Sequence, residues 1–164
     1  MKTLGMFGLA LLLVLSACRL EGGDSSSGDG TPTPTGGSSA LMINNPLSSI
    51  CVANDNATLF LGSNGGKILT STDSGSTFTV LDSTTRDIRS VFCNQRTVWF
   101  VGASGVIFQQ VAGAALTTQT SGVSVTFNRV WGTDTNNVYA VGNSGTILHW
   151  PGASWVSEAV PTPV

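Results

Sequence analysis

A pattern of about 40 residues occurs three times along the chain and limits its fold more than any other feature. Each copy is a short apolar strand that ends near a glycine, followed by a tight turn and a second strand. The three segments are FLGSNGGKIL (60–69), FVGASGVIF (100–108) and AVGNSGTIL (140–148). The spacings are 40 and 40 residues for Gly62, Gly102 and Gly142, and 39 and 40 for Gly66, Gly105 and Gly145. We interpret the difference as one extra residue in the first turn.

Each unit offers four short runs of β-branched and aromatic residues bounded by Gly, Asn and Asp, a pattern typical of strands. The predicted strands are about 49–53, 57–62, 67–71 and 77–82, then 89–93, 97–101, 106–111 and 115–119, then 127–131, 137–141, 146–150 and 154–159. Four strands with this period predict an all-β fold of three β-propeller-like blades. The β-trefoil, which also has three four-stranded repeats, remains the alternative.

Three blades are too few for a closed propeller, which typically has four to eight. An open arc exposes the apolar faces of its first and last blades, and neither terminal unit here is more polar than the middle one. Three explanations remain open. Two chains could form a homo-oligomer that completes a six-blade ring, the chain could be a shortened relative of a longer propeller, or the fold could be the trefoil.

The amino terminus has the pattern of an export signal. Lys2 precedes the apolar run Leu4–Leu15, which is too short to span a bilayer as a helix. The next residues, Leu15-Ser16-Ala17-Cys18, resemble the lipobox of bacterial lipoproteins. The resemblance implies cleavage after Ala17, lipid on the Cys18 thiol and attachment to a membrane. Arg19 stands where an Asp commonly retains lipoproteins at the inner membrane, which favours the outer membrane in a Gram-negative cell.

The composition divides the chain into four parts. Residues 1–17 form the predicted signal peptide, and residues 18–40 form the lipidated cysteine with a Gly/Ser/Thr/Pro linker that we expect to be disordered. The three-repeat β domain covers 41–160, and 161–164 form a tail. After the predicted cleavage, six Lys plus Arg face nine Asp plus Glu, with no basic run. This balance excludes nucleic acid as a predicted partner.

One turn of the first unit carries a specific motif. The residues Ser71, Asp73, Gly75, Thr77 and Phe78 resemble the Asp-box, S-x-D-x-G-x-T-[WF], at every fixed position. The repeats are similar to Asp-box (BNR-type) proteins, including the photosystem II assembly-factor type. The resemblance implies a structural role, in which Asp73 accepts hydrogen bonds from its own turn, Gly75 supplies a positive φ and Phe78 packs into the blade. It implies a blade rather than an activity.

Few residues are candidates for chemistry, and we predict no catalytic site, no cofactor and no metal site. Sialidases also contain the Asp-box, so a glycoside hydrolase-related function is one alternative. Such a function needs paired carboxylates or a Tyr with an acid partner. The domain has one Tyr (Tyr139) and one Glu (Glu158), and His149 is its lone histidine. Asp and Asn loops near Asp55 and Asp134 offer oxygen ligands to calcium, although Asx turns explain them equally well.

Three further groups of residues leave alternatives open. Trp150 and Trp155 flank a predicted exposed turn, where their indoles could contact a ligand such as a glycan, or could pack between blades. Trp131 is expected to face a neighbouring unit. Cys51 and Cys93 could form a disulfide outside the cytoplasm or remain buried thiols. They align one position out of step, so their side chains are expected on opposite faces of their strands.

Together these features predict a membrane-tethered, non-enzymatic binding or assembly module that binds another protein. The alternative function is a carbohydrate-binding, lectin-like module that uses Trp150 and Trp155. A glycoside hydrolase-related activity is a distant third. The predicted location is exported and membrane-anchored.

Overall fold

A computed structural model describes residues 44–112 and 114–159 of the chain. The predicted signal peptide, the lipobox with Cys18, the linker and the tail lie outside these residues. Within the described part, no helix is both long enough and apolar enough to cross a membrane. The description below concerns the β domain alone.

The β domain consists of three four-stranded antiparallel sheets, and each sheet pairs its strands in chain order. We call them blades 1, 2 and 3. Blade 1 contains β1 (Leu47–Val52), β2 (Leu59–Ser63), β3 (Lys67–Ser71) and β4 (Thr79–Ser83). Blade 2 contains β5 (Ile88–Asn94), β6 (Thr97–Gly102), β7 (Ile107–Val111) and β8 (Thr117–Gln119), with a single 3-10 turn at Ala103–Gly105. Blade 3 contains β9 (Phe127–Asp134), β10 (Asn137–Gly142), β11 (Ile147–Trp150) and β12 (Val156–Glu158).

The first strands of the three blades, β1, β5 and β9, lie beside one another and form the inner edge of the stack. No strand of one blade pairs by backbone hydrogen bonds with a strand of another. The blades therefore meet face to face through side chains, as in a propeller. The predicted all-β fold of three propeller-like blades is confirmed, and the trefoil alternative is wrong because the repeats do not share a sheet.

Each blade buries one face against the next. We call the face toward the following blade the forward face and the opposite one the backward face. On β6, Trp99 and Val101 point forward into the core with blade 3, whereas Val98 and Phe100 point backward into the core with blade 1. Successive side chains of a strand alternate between the two faces of a sheet. All six residues of β6 are therefore buried, because the middle blade is covered on both sides.

We call the contact between two neighbouring blades a seam, and both seams are apolar. Large aromatic and branched side chains fill both seams. The burial of each such side chain stabilises the fold by about 1.5–3 kcal/mol. The seam between blades 1 and 2 contains Phe60, Ile68, Ile88, Val91, Val98, Phe100, Val106 and Phe108. The seam between blades 2 and 3 contains Trp99, Val101, Ile107, Phe127, Val130, Val138, Ala140, Leu148, Trp150 and Trp155.

The turn between the second and third strands has the same length in all three blades. Its two central residues have positive φ, which favours glycine; they are Gly65 and Gly66, Ser104 and Gly105, Ser144 and Gly145. The residue before them donates a 2.9 Å hydrogen bond to a carbonyl just ahead of the inner strand. These bonds are Asn64 to Pro46, Ala103 to Asp87 and Asn143 to Thr126.

This shared geometry corrects one expectation. Ser63, and not Gly62, is the counterpart of Gly102 and Gly142, so the predicted extra residue in the first turn is wrong. Gly62 lies one position earlier on the forward face of blade 1, where a Cβ would lie 2.5 Å from a methyl carbon of Ile88. The glycine at 62 thus serves close packing between blades rather than the turn.

Candidate binding sites

The turn at Ser71–Phe78 is closed by its own side chains. The Asp73 carboxylate accepts hydrogen bonds from the Ser71 hydroxyl (2.7 Å), the Thr77 N–H (2.9 Å) and the Thr77 hydroxyl (2.6 Å). These bonds, of which the one from the Thr77 hydroxyl contributes most, lower the pKa of Asp73 from 3.8 to about 2. Gly75 has φ of 89°, and Phe78 is half-buried beside it. The carboxylate therefore holds the turn and has little capacity left for a ligand.

Replacement of Asp73 by Asn is expected to lower the melting temperature by a few degrees near neutral pH. The ionised carboxylate stabilises the fold above the unfolded pKa, and this contribution disappears as the pH falls from 3.8 toward about 2. The melting-temperature difference between wild type and variant should therefore shrink over that interval. Thermal unfolding followed by circular dichroism between pH 2 and pH 7 measures it. Thr77→Val removes a hydrogen bond to the carboxylate, so the stabilisation by Asp73 should be lost at a higher pH than in wild type. A melting-temperature difference between wild type and Asp73→Asn that does not change with pH contradicts the role assigned to the carboxylate.

The loop near Asp55 is built in the same way. The Asp55 carboxylate accepts hydrogen bonds from the N–H groups of Ala57 (2.9 Å) and Thr58 (2.8 Å) and from the Thr58 hydroxyl (2.6 Å). These bonds lower the pKa of Asp55. The second predicted loop also forms an Asx turn, because Asp134 accepts a hydrogen bond from the Asn136 N–H at 2.9 Å. Both loops thus form Asx turns. Residues 44–112 and 114–159 contain no cluster of His, Cys, Asp and Glu that could hold a metal ion.

The two tryptophans considered for ligand contact lie in the core. Trp150 and Trp155 are 7% and 9% exposed, and their rings pack edge-on against Trp99 at centroid distances of 5.0 and 5.2 Å. Trp150 pairs across the strands with Val138, on the backward face of blade 3. The expectation that these indoles could stack on a sugar ring is wrong, because the seam with blade 2 covers them. The lectin-like alternative loses the residues on which it depended.

Cys51 and Cys93 form a disulfide across the seam between blades 1 and 2, with Cα atoms 5.7 Å apart. Of the two alternatives left open, the structure contains the bridge. Cys51 lies on the forward face of blade 1, and Cys93 lies on the backward face of blade 2. The one-position offset therefore favours the bridge, since the forward face of one blade packs against the backward face of the next.

A cleft opens at one edge of the same seam. It has a volume of about 320 Å³, which lies at the lower end of the range for ligand pockets. Phe60 and Val98 form an apolar floor, and the rim comes from the β1–β2 loop, the β5–β6 turn and the end of β7. The lining residues are Ala53, Asn54, Asp55, Thr58, Phe60, Gln95, Arg96, Val98, Gln110 and Ala112.

One polar atom in this cleft lacks a partner. The side-chain oxygen of Gln110 is buried and accepts no hydrogen bond from the described residues, although its amide nitrogen donates to the Ala114 carbonyl at 3.2 Å. A buried acceptor without a donor is unfavourable by roughly 1–3 kcal/mol. Arg96 adds a positive charge to the exposed rim. The sequence did not predict the cleft, because loops from two blades form it.

The forward face of blade 3 carries a row of side chains across its four strands. Register places Trp131, Tyr139, His149 and Val156 side by side. The Tyr139 and His149 rings stack at 4.4 Å, and His149 contacts the Asn137 side-chain oxygen at 3.0 Å and Glu158 at 3.5 Å. Sequence reasoning treated the Tyr, the His and the Glu as isolated residues, and only the strand register brings them together.

Both outer faces of the stack present apolar side chains. On the forward face of blade 3, Trp131 is 56% exposed, although its ring also approaches Phe92 at 6.4 Å. Tyr139, the counterpart of the buried Trp99 of blade 2, is 36% exposed. Trp131 therefore faces a neighbouring unit, as expected, through Phe92 of blade 2, but Trp131 and Tyr139 both remain exposed because no described blade follows blade 3. On the backward face of blade 1, Leu61 and Leu69 of the middle strands are buried. The exposed side chains there belong to β1 and β4, namely Leu47, Ile50, Val52 and Val80.

Comparison with known proteins supports the architecture. No protein-family model and no curated protein sequence matches the chain. Among solved structures, YCF48 from Cyanidioschyzon merolae superposes with a TM-score of 0.60 at 16% identity, covering 69% of this chain and 39% of that one. A structure described as YCF48 bound to D1 peptide gives a TM-score of 0.58 at 15% identity, covering 69% and 40%. The chain thus spans about two-fifths of these proteins. At this identity the likeness concerns the fold, and it confirms the resemblance to photosystem II assembly-factor-type propellers at that level.

Proposed function

We propose that this chain is an exported, membrane-tethered and non-enzymatic module that holds another protein. The tether is the lipid expected on Cys18, and the outer membrane is the favoured location in a Gram-negative cell. The repeated blades belong to the Asp-box type, with Ser71–Phe78 as the one complete motif. The domain binds its partner at the cleft between blades 1 and 2.

The cleft is the observation that carries the binding proposal. Its apolar floor of Phe60 and Val98 accepts an apolar side chain, and the Gln110 side chain, whose oxygen has no donor, accepts one N–H donor once it turns toward the cleft. A peptide segment supplies both groups within one residue, because each amino acid carries a backbone N–H beside its side chain. A segment of another protein is therefore the ligand that the cleft fits best. The neighbouring structure described as bound to a D1 peptide supports a peptide-binding role for blades of this kind.

The absence of an activity is part of the proposal. The pKa values of Asp55 and Asp73 are lowered, and the carboxylate oxygens of both residues accept hydrogen bonds from their own turns. Perturbed carboxylates often mark active sites, but here the cause of each shift is a local hydrogen-bonded loop. Asp55 lies on the cleft rim, yet its carboxylate is already bonded to Ala57 and Thr58. The cleft therefore offers recognition rather than acid–base chemistry.

Photo-cross-linking from Gln95 tests the proposed binding. Gln95 is exposed and lines the cleft, so a photoreactive amino acid in its place should give a discrete adduct with a second protein in intact cells. Adding Arg96→Ala and Gln110→Ala should abolish the adduct, because these changes remove the rim charge and the buried acceptor. The same photoreactive group at exposed Arg86, outside the cleft, is the control and should give no such adduct. An adduct that survives both substitutions, or the absence of any adduct, contradicts the proposed site.

A further inference from the structure

We propose that the cleft between blades 1 and 2 receives an indole, and that the protein segment bound there therefore presents a tryptophan side chain. This inference rests on the proposed binding of a protein segment at the cleft, and it names the side chain that the segment inserts. The two seams of the chain have the same construction, and one of them holds an indole of its own where the other has the cleft. The filled seam thus indicates what the open one fits.

Strand register identifies the corresponding positions in the two seams. In blade 2, Val98 pairs across the strands with Gln110. In blade 3, Val138 pairs in the same way with Trp150. The two valines are 40 residues apart in the chain, and so are their partners. Gln110 therefore occupies, on the backward face of blade 2, the position that Trp150 occupies on the backward face of blade 3.

The other two tryptophans of the filled seam also correspond to smaller side chains. Trp99 corresponds to Phe60, since each lies three positions before the end of the second strand of its blade. Trp155, just before β12, corresponds to Leu116, just before β8. A phenyl ring, a carboxamide and an isobutyl group thus replace three indoles. The cleft lies where this volume is missing, because Phe60 and Gln110 line it.

The space beside Gln110 has the surroundings of the Trp150 ring. In the filled seam, Trp150 packs edge-on against Trp99 with 5.0 Å between the ring centroids, and only 7% of Trp150 is exposed. In the cleft, Phe60 takes the place of Trp99, and its ring can pack against a second aromatic ring in the same geometry. The cleft volume of about 320 Å³ accommodates one bicyclic side chain.

The polar group of the cleft favours an indole over a phenyl ring. The Gln110 side-chain oxygen accepts no hydrogen bond from the described residues, and an indole supplies one N–H donor. Once the Gln110 side chain turns toward the cleft, the indole N–H can pair with this oxygen. An amide oxygen has two lone pairs, so it can accept the indole N–H beside a backbone N–H of the same segment. A phenylalanine side chain has no donor to offer.

A tripeptide probe tests this inference on the full-length chain purified in detergent. The probe is acetyl-Gly-Trp-Gly-amide with a fluorinated indole, followed by fluorine NMR, because the tryptophans of the chain itself carry no fluorine. Its signal should broaden when the protein is added. The unlabelled tryptophan peptide should displace it about 3- to 10-fold better than the phenylalanine peptide, the factor for one hydrogen bond. The alanine peptide should not displace it.

Three variants connect the probe with the cleft. Gln110→Trp supplies the indole from within the chain, as Trp150 does in the filled seam, and should abolish probe binding. Val111→Trp is the matched control, because Val111 is the next residue, lies on the opposite face of the blade and is 45% exposed. Its probe binding should equal that of wild type. Gln110→Leu has no acceptor, so it should still bind the probe but lose most of the preference for tryptophan over phenylalanine.

Three results would overturn the inference. They are equal displacement by the tryptophan and alanine peptides, probe binding that survives Gln110→Trp, and a free fluorinated indole that binds as tightly as the tripeptide. The last result would make the ligand a small molecule. Photo-cross-linking from Gln95 reports protein binding separately. An adduct at the cleft without binding of the probe contradicts the tryptophan alone, whereas a bound probe without any adduct contradicts the proposed function.

Discussion

Replacement of Trp99 by alanine is expected to lower the free energy of unfolding by about 3–5 kcal/mol, the range for removal of a buried Trp side chain. Trp99 is completely buried, and its ring lies between the blades, in contact with Trp150 and Trp155. The cavity cannot collapse easily, because strands on both sides hold its walls. Urea unfolding followed by tryptophan fluorescence and circular dichroism measures the loss. A stability near that of wild type would show that blade 3 does not pack on blade 2 as described.

Trp131→Ala is the matched control for this prediction. It deletes the same side chain from a position that is 56% exposed, so it should destabilise a single chain far less than Trp99→Ala. Both variants are compared at a dilution at which wild-type stability no longer depends on protein concentration, which removes any contribution from self-association. Equal losses for the two variants would contradict the assignment of Trp99 to the core and Trp131 to the outer face.

Replacement of Cys18 by serine is expected to remove the chain from the membrane. The proposed lipid anchor requires the Cys18 thiol, and a serine hydroxyl cannot take its place in the expected lipobox. Several acyl chains, each stabilised by about 0.8 kcal/mol per buried CH₂, give a lasting attachment that the protein alone does not provide. Fractionation of expressing cells, with detection of the chain in membrane and soluble fractions, measures the change. The wild-type chain should be in the membrane fraction and the variant should be soluble or unprocessed.

Ser16→Ala is the control for the anchor experiment, because it keeps a small residue before the cleavage site and leaves the thiol in place. Its membrane retention should match that of wild type. Retention of the Cys18→Ser variant in the membrane fraction at the wild-type level would contradict the lipoprotein interpretation. The cleft would remain testable in that case, since it belongs to the β domain.

Much of the fold could be predicted because the repeat and the turns are local signals. The predicted strand 67–71 coincides with β3, and the predicted 137–141 differs from β10 by one residue. The turn between the second and third strands of blade 1 could not be aligned correctly with those of blades 2 and 3, because the glycines in these segments have two different roles. Gly62 makes room for Ile88, whereas Gly102 ends a strand, and only the hydrogen bond from Asn64 to Pro46 distinguishes the two.

The candidate sites were harder to predict, because they depend on which face each strand turns toward a neighbour. Trp150 and Trp155 flank a turn and therefore suggested exposure, but strand register directs both rings into the seam with blade 2. The cleft depends on loops that are about 40 residues apart in the chain. Gln110, with its unpartnered oxygen, and Phe60 line the same cleft only after blades 1 and 2 have packed together.

The disulfide also determines how the domain carries mechanical load. The proposed membrane tether would pull on the amino-terminal side of β1, and a force applied there would peel the strand only as far as Cys51. The bridge would then pass the force directly to Cys93, so the residues between the two cysteines, a sequence separation of 42, would be shielded from extension. At roughly 3.4 Å per residue, this removes about 140 Å of chain from the load path. We therefore expect the remaining strands of blade 1, and the β1–β2 loop at the cleft rim, to stay folded when the proposed anchor is under tension.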